Sequence, residues 1–507
     1  MNRGISLKMR HVRLAAGFAA VGLLLAACSE SDTKTATTAT TSAATATTAS
    51  AAATTAAAGA TTAPTTAGTT ATTTTATTTG ATTPATTATT TAATTATTAA
   101  SQDVNVWALK YTGGKAGAAA GGPIKIGYAN DESFFPENTI GVNAAVAYVN
   151  AELGGAAGRP LEIVACSVTD ASSGSKCGAQ FANDASITLV VTGTMLAGNA
   201  ELYKVLDGKK PVIIGNGLTT DDFTTTAGQT FTAGSPAVIP GMAQFLLTGL
   251  PSVPKNVVIM GQDNAGSKTA AQALFEPVMK KAGIKVTEAF VGDSAAESDV
   301  QTALTAAGVD KADVIVSLNT IQQCINLDDA IKALNLKTTV VATGLCFGTP
   351  MTDHIRANGE TGDVPDGWYF GDYGYSYFTP DYDSGMLTYV TKVKQYGKPA
   401  PSATTLEYTG FAGPSFANIL TATKFFNAVG PDKLDYASVN AQIRGFKGPM
   451  MIQAGPLDCG KLTIVGLPIF KSACAPDMGI HQYSGGKWIA KNDGVLGNSI
   501  DATKVAV

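Results

Sequence analysis

From Gly122 onward, short apolar runs alternate with segments whose apolar residues recur at helical spacing. Ile124 to Ala129 is the first predicted strand, and Ile140 to Leu153 the helix that follows it, stopped by Gly154-Gly155. Further strands are predicted at 161–165, 189–192, 212–214, 257–260, 286–290, 314–318 and 339–342. This alternation predicts an α/β fold with parallel sheets covered by helices on both faces. Because about 370 residues exceed one typical domain, we expect two lobes.

Residues 1–27 have the pattern of an export signal. Basic residues at positions 8, 10 and 13 precede an apolar run, Leu14 to Ala27, that is too short to cross about 30 Å of hydrocarbon comfortably. The run ends in Leu-Ala-Ala-Cys28, which resembles a bacterial lipobox. The resemblance implies cleavage before Cys28, lipidation of its sulfur, and anchoring to the outer face of the cell membrane. An ordinary cleaved signal followed by a chance cysteine is the alternative.

Residues 28–121 are predicted to be a disordered Thr/Ala-rich tether. Thr33 to Ala100 is low in complexity and offers no aromatic or large aliphatic side chain to a core. As a flexible coil, about 70 residues span roughly 45 Å. The region also explains much of the low charge of the chain, 14% against roughly 25% in an average domain. The sequence leaves open whether the threonines are glycosylated.

Charge and hydropathy argue against several classes of protein. The net charge is −4, so nothing favours nucleic-acid binding. The only long apolar run is N-terminal, which argues against several membrane spans.

Residues 261–269 nearly match the motif of a phosphate-binding loop, but Ser267 puts Lys268 out of register with that motif. The folded part contains two histidines, at 354 and 481, and neither lies in a motif typical of a catalytic nucleophile. We therefore expect no enzyme activity and no cofactor. An exported hydrolase is the weaker alternative.

Several segments, in order, resemble one family. Ile-Lys-Ile-Gly at 124–127 and VNAELGGAAGRPLEIV at 149–164 resemble the start of type I periplasmic binding proteins, the Leu/Ile/Val-binding-like components of ABC importers. Residues 256–286 and 312–317 resemble the start of their second lobe. The resemblance implies two Rossmann-like lobes joined by a hinge of three crossing segments. Carried over, lobe one is 122–237 with 367–447, lobe two is 238–366 with 448–490, and 491–507 is a C-terminal tail.

The resemblance also implies a function. Such a protein closes its lobes on a small organic ligand and delivers it to ABC permease subunits, here as a monomer held to the membrane by its lipid. A sensor component that presents ligand to a receptor without transport has the same fold and is the alternative.

Six cysteines remain beside Cys28, and six allow 15 pairings. An even count outside the cytoplasm favours disulfides. We predict that neighbours pair, as Cys166–Cys177, Cys324–Cys346 and Cys459–Cys474, each within one lobe; the first resembles a disulfide common in the family's first lobe. A metal site is disfavoured, because no Cys-x-x-Cys occurs and histidines are few.

Ligand is expected at the loops that follow the strands, because open α/β sheets bind at the carboxyl ends of their strands. The predicted ligand-binding residues are Asn130, Phe134, Phe135, Thr194, Met195, Leu196, Asn216 and Thr219 in lobe one, Asp263, Asn264, Asn319, Thr320 and Leu345 in lobe two, and Tyr373 near a crossing. Tyr373 belongs to a run of tyrosines, 369 to 377, that lines the cleft or covers the hinge, the hinge being slightly favoured.

Two departures from amino-acid binders affect the predicted ligand. Thr219 matches the threonine that holds a ligand carboxylate in such proteins, but their serine-rich loop is replaced by Thr194 to Gly198, with one hydroxyl. The acidic residue that pairs with the ligand ammonium in amino-acid binders is replaced in this chain, around Gly344-Leu345. A desolvated ammonium without a carboxylate is costly. We therefore expect a ligand that is less charged or more apolar than a branched-chain amino acid.

Overall fold

The computed structural model describes residues 104–372, 377, 384–401, 405–452, 457–461, 471–475, 477–491 and 500–501. The predicted signal peptide, Cys28, the tether up to residue 103, and Tyr373 lie outside the described residues. No helix in the described ranges combines the length and the apolar character that crossing a bilayer requires.

The first sheet has the strand order β2-β1-β3-β4-β5, with all neighbours parallel. Every residue of β1 is buried except Lys125, which is half-buried; burial on both faces is typical of a parallel sheet between helix layers. Its strands are β1 Ile124–Asn130, β2 Leu161–Ser167, β3 Ile187–Thr192, β4 Val212–Ile214 and β5 Gly228–Thr230.

The second sheet runs β12-β11-β10-β9-β8-β6-β7, with β13 paired to β11. The strands β6 to β10 are parallel, whereas β11 and β12 form an antiparallel hairpin at one edge. Its strands are β6 Asn256–Gln262, β7 Lys285–Val291, β8 Val314–Leu318, β9 Thr339–Thr343, β10 Tyr369–Asp372, β11 Asp477–Ser484, β12 Lys487–Ala490 and β13 Ile500–Asp501. The predicted α/β fold with parallel sheets is confirmed.

Helices cover both sheets. They are α1 Val104–Thr112, α2 Pro136–Glu152, α3 Ala171–Asn183, α4 Asn199–Leu206, α5 Thr220–Thr224, α6 Gly234–Thr248, α7 Ala265–Lys268, α8 Glu276–Lys281, α9 Glu297–Ala306, α10 Ile321–Ala333, α11 Thr349–Ala357, α12 Ser384–Tyr396, α13 Ala412–Val429 and α14 Tyr436–Arg444. A π-helical turn, Thr269–Phe275, joins α7 to α8.

Local sequence sets the ends of these helices. Pro136 opens α2, where its missing N–H is not needed. Gly154 and Gly155 stop α2 at left-handed φ values of +70° and +77°, as predicted from the Gly-Gly pair. Asp170 caps α3 by accepting a 2.7 Å hydrogen bond from the Ser173 amide.

The lower end of the predicted tether belongs to the folded part, which corrects the boundary at 121. Helix α1 packs against α12 and α13. The Tyr111 hydroxyl lies 2.7 Å from Thr421 Oγ1, and the Tyr148 hydroxyl donates to Asn105 Oδ1 at 2.8 Å. Unlike the Thr/Ala region, this segment carries Trp107 and Tyr111, whose stacked rings supply apolar surface to bury.

The chain passes between the two sheets three times, and two of the predicted crossings were misplaced. Strand β10 lies beside β9 in the second sheet, so that crossing follows Asp372 rather than residue 366. Residues 471–475 stay with the first sheet, because Thr230 donates to Ser472 and accepts from the Cys474 amide. The third crossing therefore lies at residues 475–477, not at 447. The predicted tail contributes β13 to the second sheet.

The three predicted cysteine pairs are disulfide-bonded: Cys166–Cys177, Cys324–Cys346 and Cys459–Cys474. The third lies beside Phe446, since the Cys459 amide donates to the Phe446 carbonyl.

Candidate functional site: a cleft between the two sheets

A cleft lies where the carboxyl ends of strands from both sheets meet. It encloses about 1060 Å³ of empty space, part of which is open to solvent. The loops after β1, β3 and β4 form one side, and those after β6 to β10 form the other. This is the position expected for a ligand site in open α/β sheets.

The lobe-one side presents one polar side chain among its described lining residues, that of Ser235 at the start of α6. The others are Phe134, Leu196, Gly217, Leu218, Gly234, Gly410 and Phe411. Phe134 stands at the rim with 53% of its surface exposed, an unusual position for a phenylalanine. The next ring, Phe135, is buried and packs edge-on against Phe411 at 5.6 Å. This face therefore offers apolar contact.

Many polar groups of lobe one are hydrogen-bonded within the lobe, and Asp222 is the clearest case. Its carboxylate, 2% exposed, accepts hydrogen bonds from Asn199 (2.7 Å) and from the Tyr203 hydroxyl (2.6 Å). It also accepts from the amides of Leu218 and Thr219 and from Thr219 Oγ1, at 2.9 to 3.0 Å. Burial raises the pKa of Asp222, and these donors oppose the rise. An internal carboxylate thus occupies the donors of the loop after β4.

A second internal network ties together the other lobe-one amides. Asn130 accepts from the Thr194 amide (3.0 Å) and from Asn138 (3.1 Å), and it donates to the Phe135 carbonyl (2.9 Å). Asn138 Oδ1 in turn accepts from Asn216 (3.1 Å) and Ser415 (2.6 Å). These side chains hold the loops after β1, β3 and β4 together.

The lobe-two side is polar. Its lining side chains include Gln262, Asn264, Ser267, Asp293, Asn319, Thr320, Thr343 and Asp372, with Tyr377 at the crossing. Asp293 accepts from Gln262 and from Asn264, both at 3.0 Å, and Gln262 accepts from the Thr320 amide at 2.8 Å. Residues from three loops are therefore joined into one surface.

Two polar atoms on this side have no hydrogen-bond partner among the described residues: Asn319 Oδ1 and Thr343 Oγ1. Asn319 is 1% exposed, and its amide nitrogen donates to Ser317 Oγ at 3.1 Å. A buried polar atom without a partner costs roughly 1–3 kcal/mol, so such atoms call for an explanation. At the wall of a cleft, a ligand group supplies one.

The charged side chains in the described lining are both acidic, Asp293 and Asp372. Asp372 ends β10 and is 6% exposed, with its Oδ1 3.6 Å from Nδ1 of the buried His481. Gly344 lies directly beside it: a Cβ at position 344 would be 2.9 Å from the Cβ of Asp372. Any side chain at position 344 would crowd Asp372, so glycine allows the loop after β9 to pack closely against the end of β10.

More carboxyl groups lie near the Gly410–Phe411 wall. Burial raises the pKa of Glu137 to about 8, and the negative charges of Glu407 and Glu132 add to the rise. Carboxyl groups therefore lie near both walls of the cleft, and the buried Glu137 is protonated at neutral pH.

The disulfide Cys324–Cys346 supports the lobe-two wall. It ties α10 to the loop after β9, in which Leu345 and Phe347 line the cleft. Both sulfurs are fully buried, so this loop is fixed covalently next to the cleft.

Six predicted site residues line the cleft: Phe134, Leu196, Asn264, Asn319, Thr320 and Leu345. Seven do not line it: Asn130, Phe135, Thr194, Met195, Asn216, Thr219 and Asp263. The lobe-one members of that set are buried or bonded internally, Met195 being in the core behind β3. Asp263 pairs with Lys268 on the surface, which also leaves that lysine outside the cleft and gives no support to a phosphate-binding loop.

The sequence did not single out Asp293, Thr343, Asp372 or Phe411. Thr343 and Asp293 follow predicted strands, so the expectation that ligands bind at the carboxyl ends of strands could have identified them. Asp372 was not, because it ends β10, a four-residue strand that was not predicted from the sequence. Of the tyrosine run, Tyr377 lines the cleft and donates to the Gly410 carbonyl at 2.6 Å, whereas Tyr369 packs on Phe245.

One group of possible metal ligands lies away from the cleft lining: Asp328, Asp329 and His354. Lys332 already pairs with Asp328 at 2.7 Å, and His354 Nε2 lies 2.9 Å from Asp329. An ion pair within α10 and a hydrogen bond between α10 and α11 account for the cluster.

The chain belongs to the periplasmic binding protein family, whose model matches residues 123–458. Comparison with curated protein sequences finds no significant match.

Solved structures share the fold at low sequence identity. A fatty acid ABC transporter substrate-binding protein from Thermomonospora curvata has a TM-score of 0.57 at 14% identity, covering 77% of this chain and 96% of its own. A solute-binding protein of an ABC transporter from R. palustris, in complex with benzoate, has a TM-score of 0.57 at 14% identity. The match covers 75% of this chain and 98% of that protein. A branched-chain amino acid transporter substrate-binding protein from Streptococcus pneumoniae, in complex with isoleucine, has a TM-score of 0.54 at 15% identity. The match covers 72% of this chain and 97% of that protein.

Proposed function

We propose that this protein is the lipid-anchored solute-binding component of an ABC importer, which closes its lobes on a small organic ligand and delivers it to permease subunits. The observation that carries the proposal is the cleft itself, formed by strand ends of two sheets between which the chain passes three times. A ligand that contacts both sides stabilises the closed arrangement, which is a hinge-bending population shift.

The ligand is proposed to be less charged or more apolar than a branched-chain amino acid. The apolar lobe-one face, with Phe134, Leu196 and Phe411, suits an apolar body. The donors next to Thr219 are occupied by Asp222, so the position that would hold an amino-acid carboxylate is already filled.

Mass spectrometry of small molecules released from the purified protein tests the proposed function. We expect one predominant compound, which rebinds in calorimetry and reduces the radius of gyration measured by X-ray scattering. Failure to bind any small molecule, or binding without compaction, would contradict the proposed mechanism. Micromolar binding of leucine would contradict the proposed ligand class alone.

The anchor is tested separately. A Cys28→Ala variant expressed in the native host should move from the membrane fraction to the soluble exported fraction, while the parent chain carries a lipid-modified N-terminal peptide. Membrane retention of the variant would argue against lipidation at this residue.

A further inference from the structure

The distribution of charge around the cleft limits the ligand more closely than its shape does. Asp293 and Asp372 line it, and the described lining includes no lysine, arginine or histidine. Glu132 and Glu407 lie near its Gly410–Phe411 wall, beside Glu137, whose pKa of about 8 keeps it protonated at neutral pH. A concave site lined by charges of one sign concentrates ligands of the opposite sign. The field in this cleft therefore favours a cationic group and opposes a carboxylate.

Hydrogen bonding leads to the same conclusion independently of charge. In lobe one, the amides of Leu218 and Thr219 and the Thr219 hydroxyl all donate to Asp222. In lobe two, Asn319 and Thr343 line the cleft, and Asn319 Oδ1 and Thr343 Oγ1 are buried atoms without a partner among the described residues. Asn319 Oδ1 can only accept a hydrogen bond, so it favours a ligand donor, and the Thr343 hydroxyl can accept a second one.

Asp372 is placed to receive the cationic group. It lies on the lobe-two wall at the end of β10 and is almost fully buried, with Gly344 packed directly beside it. A charge-assisted hydrogen bond in such a partly desolvated position is stronger than one at the surface. On the opposite side, the rings of Phe134 and Phe411 contact whatever the cationic group is attached to.

We propose that the cleft selects ligands that carry a protonated amine on an apolar body and lack a free carboxylate, with Asp372 as the residue that determines this specificity. The amine lies against lobe two, where Asn319 and Thr343 accept its remaining hydrogen bonds, and the apolar body lies against lobe one. This inference rests on the proposed function as a solute-binding protein and names the ligand class of the same site.

Competition within matched sets of compounds tests the inference. The purified chain is dialysed against an equimolar mixture of amines, primary amides and carboxylates built on the same phenylethyl, isobutyl and indolylethyl bodies. Mass spectrometry then measures how much of each compound the protein retains. We expect the amines to be retained at least about tenfold more than the carboxylates of the same body, which corresponds to about 1.4 kcal/mol.

Two variants connect the preference to Asp372. Asp372→Asn should remove most of the preference for amines over carboxylates. Asp263→Asn has the same change of charge on the exposed part of a neighbouring loop and should leave the preference intact. If Asp372→Asn reduces folding, Asp293→Asn provides a second test and should weaken the preference severalfold.

Retention of carboxylates over amines, equal retention of the two classes, or retention of neither would overturn the inference. So would an unchanged preference in both the Asp372 and the Asp293 variant. Retained carboxylates that also compact the protein would leave the proposed solute-binding function standing, so the two failures are distinguishable.

Discussion

The two sides of the cleft are built from the same kind of loop, at the carboxyl ends of parallel strands, but they use their polar residues differently. In lobe one, Asn130, Asn138, Asn216 and Thr219 bond to one another or to Asp222. In lobe two, Asn319 and Thr343 keep unpaired polar atoms at the cleft wall. Position at a strand end is therefore not enough to assign a ligand contact; the residue must also line the cleft, and its polar atom must lack a partner within the protein.

The largest expected effect is the loss of stability when the hydrogen bonds to the buried Asp222 of lobe one are removed. Asp222→Ala removes the acceptor of five buried or half-buried donors, so we expect a loss of about 3–5 kcal/mol in the free energy of unfolding. Urea titration measures it. Asp221→Ala, at the exposed neighbouring position, should change stability by less than about 0.5 kcal/mol. Equal effects of the two substitutions would show that Asp222 is not a structural hub.

The next effect separates stability from binding. Replacing both cysteines of Cys324–Cys346 or of Cys166–Cys177 by serine should cost about 3 kcal/mol in either lobe by the chain-entropy model. Only the first pair fixes cleft-lining residues, namely Leu345 and Phe347.

We therefore expect ligand affinity, measured by calorimetry on the folded fraction, to fall at least tenfold for the Cys324/Cys346 variant and to stay unchanged for the Cys166/Cys177 variant. An equal loss of affinity in both variants would contradict the assignment of recognition to lobe two.

A pH-dependent effect tests the acidic surroundings of the cleft. The pKa of Glu137 is about 8 in the folded chain, against an ordinary 4.5. Between these values the folded state keeps a proton that the unfolded state loses, so the free energy of unfolding falls as pH rises through this window. Glu137→Gln should thus stabilise the chain by at least about 1 kcal/mol at pH 8.

The same variant should have nearly the same stability as the parent below pH 4.5, where the carboxyl group is protonated in both states. Thermal unfolding at pH 4 and at pH 8 measures the difference. A stabilisation that does not depend on pH would contradict the raised pKa.

The smallest effect concerns two unpaired hydroxyls in otherwise similar surroundings. Thr194 in lobe one and Thr343 in lobe two each have a buried Oγ1 without a partner, but only Thr343 lines the cleft. Thr343→Val should weaken ligand binding about three- to tenfold, the value of one hydrogen bond, and Thr194→Val should leave it unchanged. The opposite order would place recognition in lobe one.

The sequence predicted the α/β fold and most strands because buried parallel strands are short, continuous apolar runs, as in Val314–Leu318. From their position after a strand it predicted Asn319 and Thr320, which line the cleft. It missed the bond between Thr219 and Asp222, although their spacing is that of a local capping box. It missed the bond between Asn130 and Asn138 because that contact depends on how the loop after β1 folds onto α2.

Two further features could not be predicted from local sequence patterns. Asp372 reaches the cleft only because β10 joins the second sheet between β9 and the distant β11. Helix α1 was hidden by its low-complexity neighbour, although Trp107 and Tyr111 distinguish it from the Thr/Ala region. Both depend on contacts between residues far apart in sequence.

A crystal structure of the protein with its retained ligand tests the central claim most directly, namely that lobe two recognises the polar part of the ligand and lobe one covers its apolar part. We predict that the polar ligand atoms lie within hydrogen-bond distance of Asn319, Thr343 or Asp372, and that the apolar body contacts Phe134, Leu196 or Phe411. A ligand carboxylate bound by the loops that contain Thr194 and Thr219, with no polar contact to lobe two, would contradict the account.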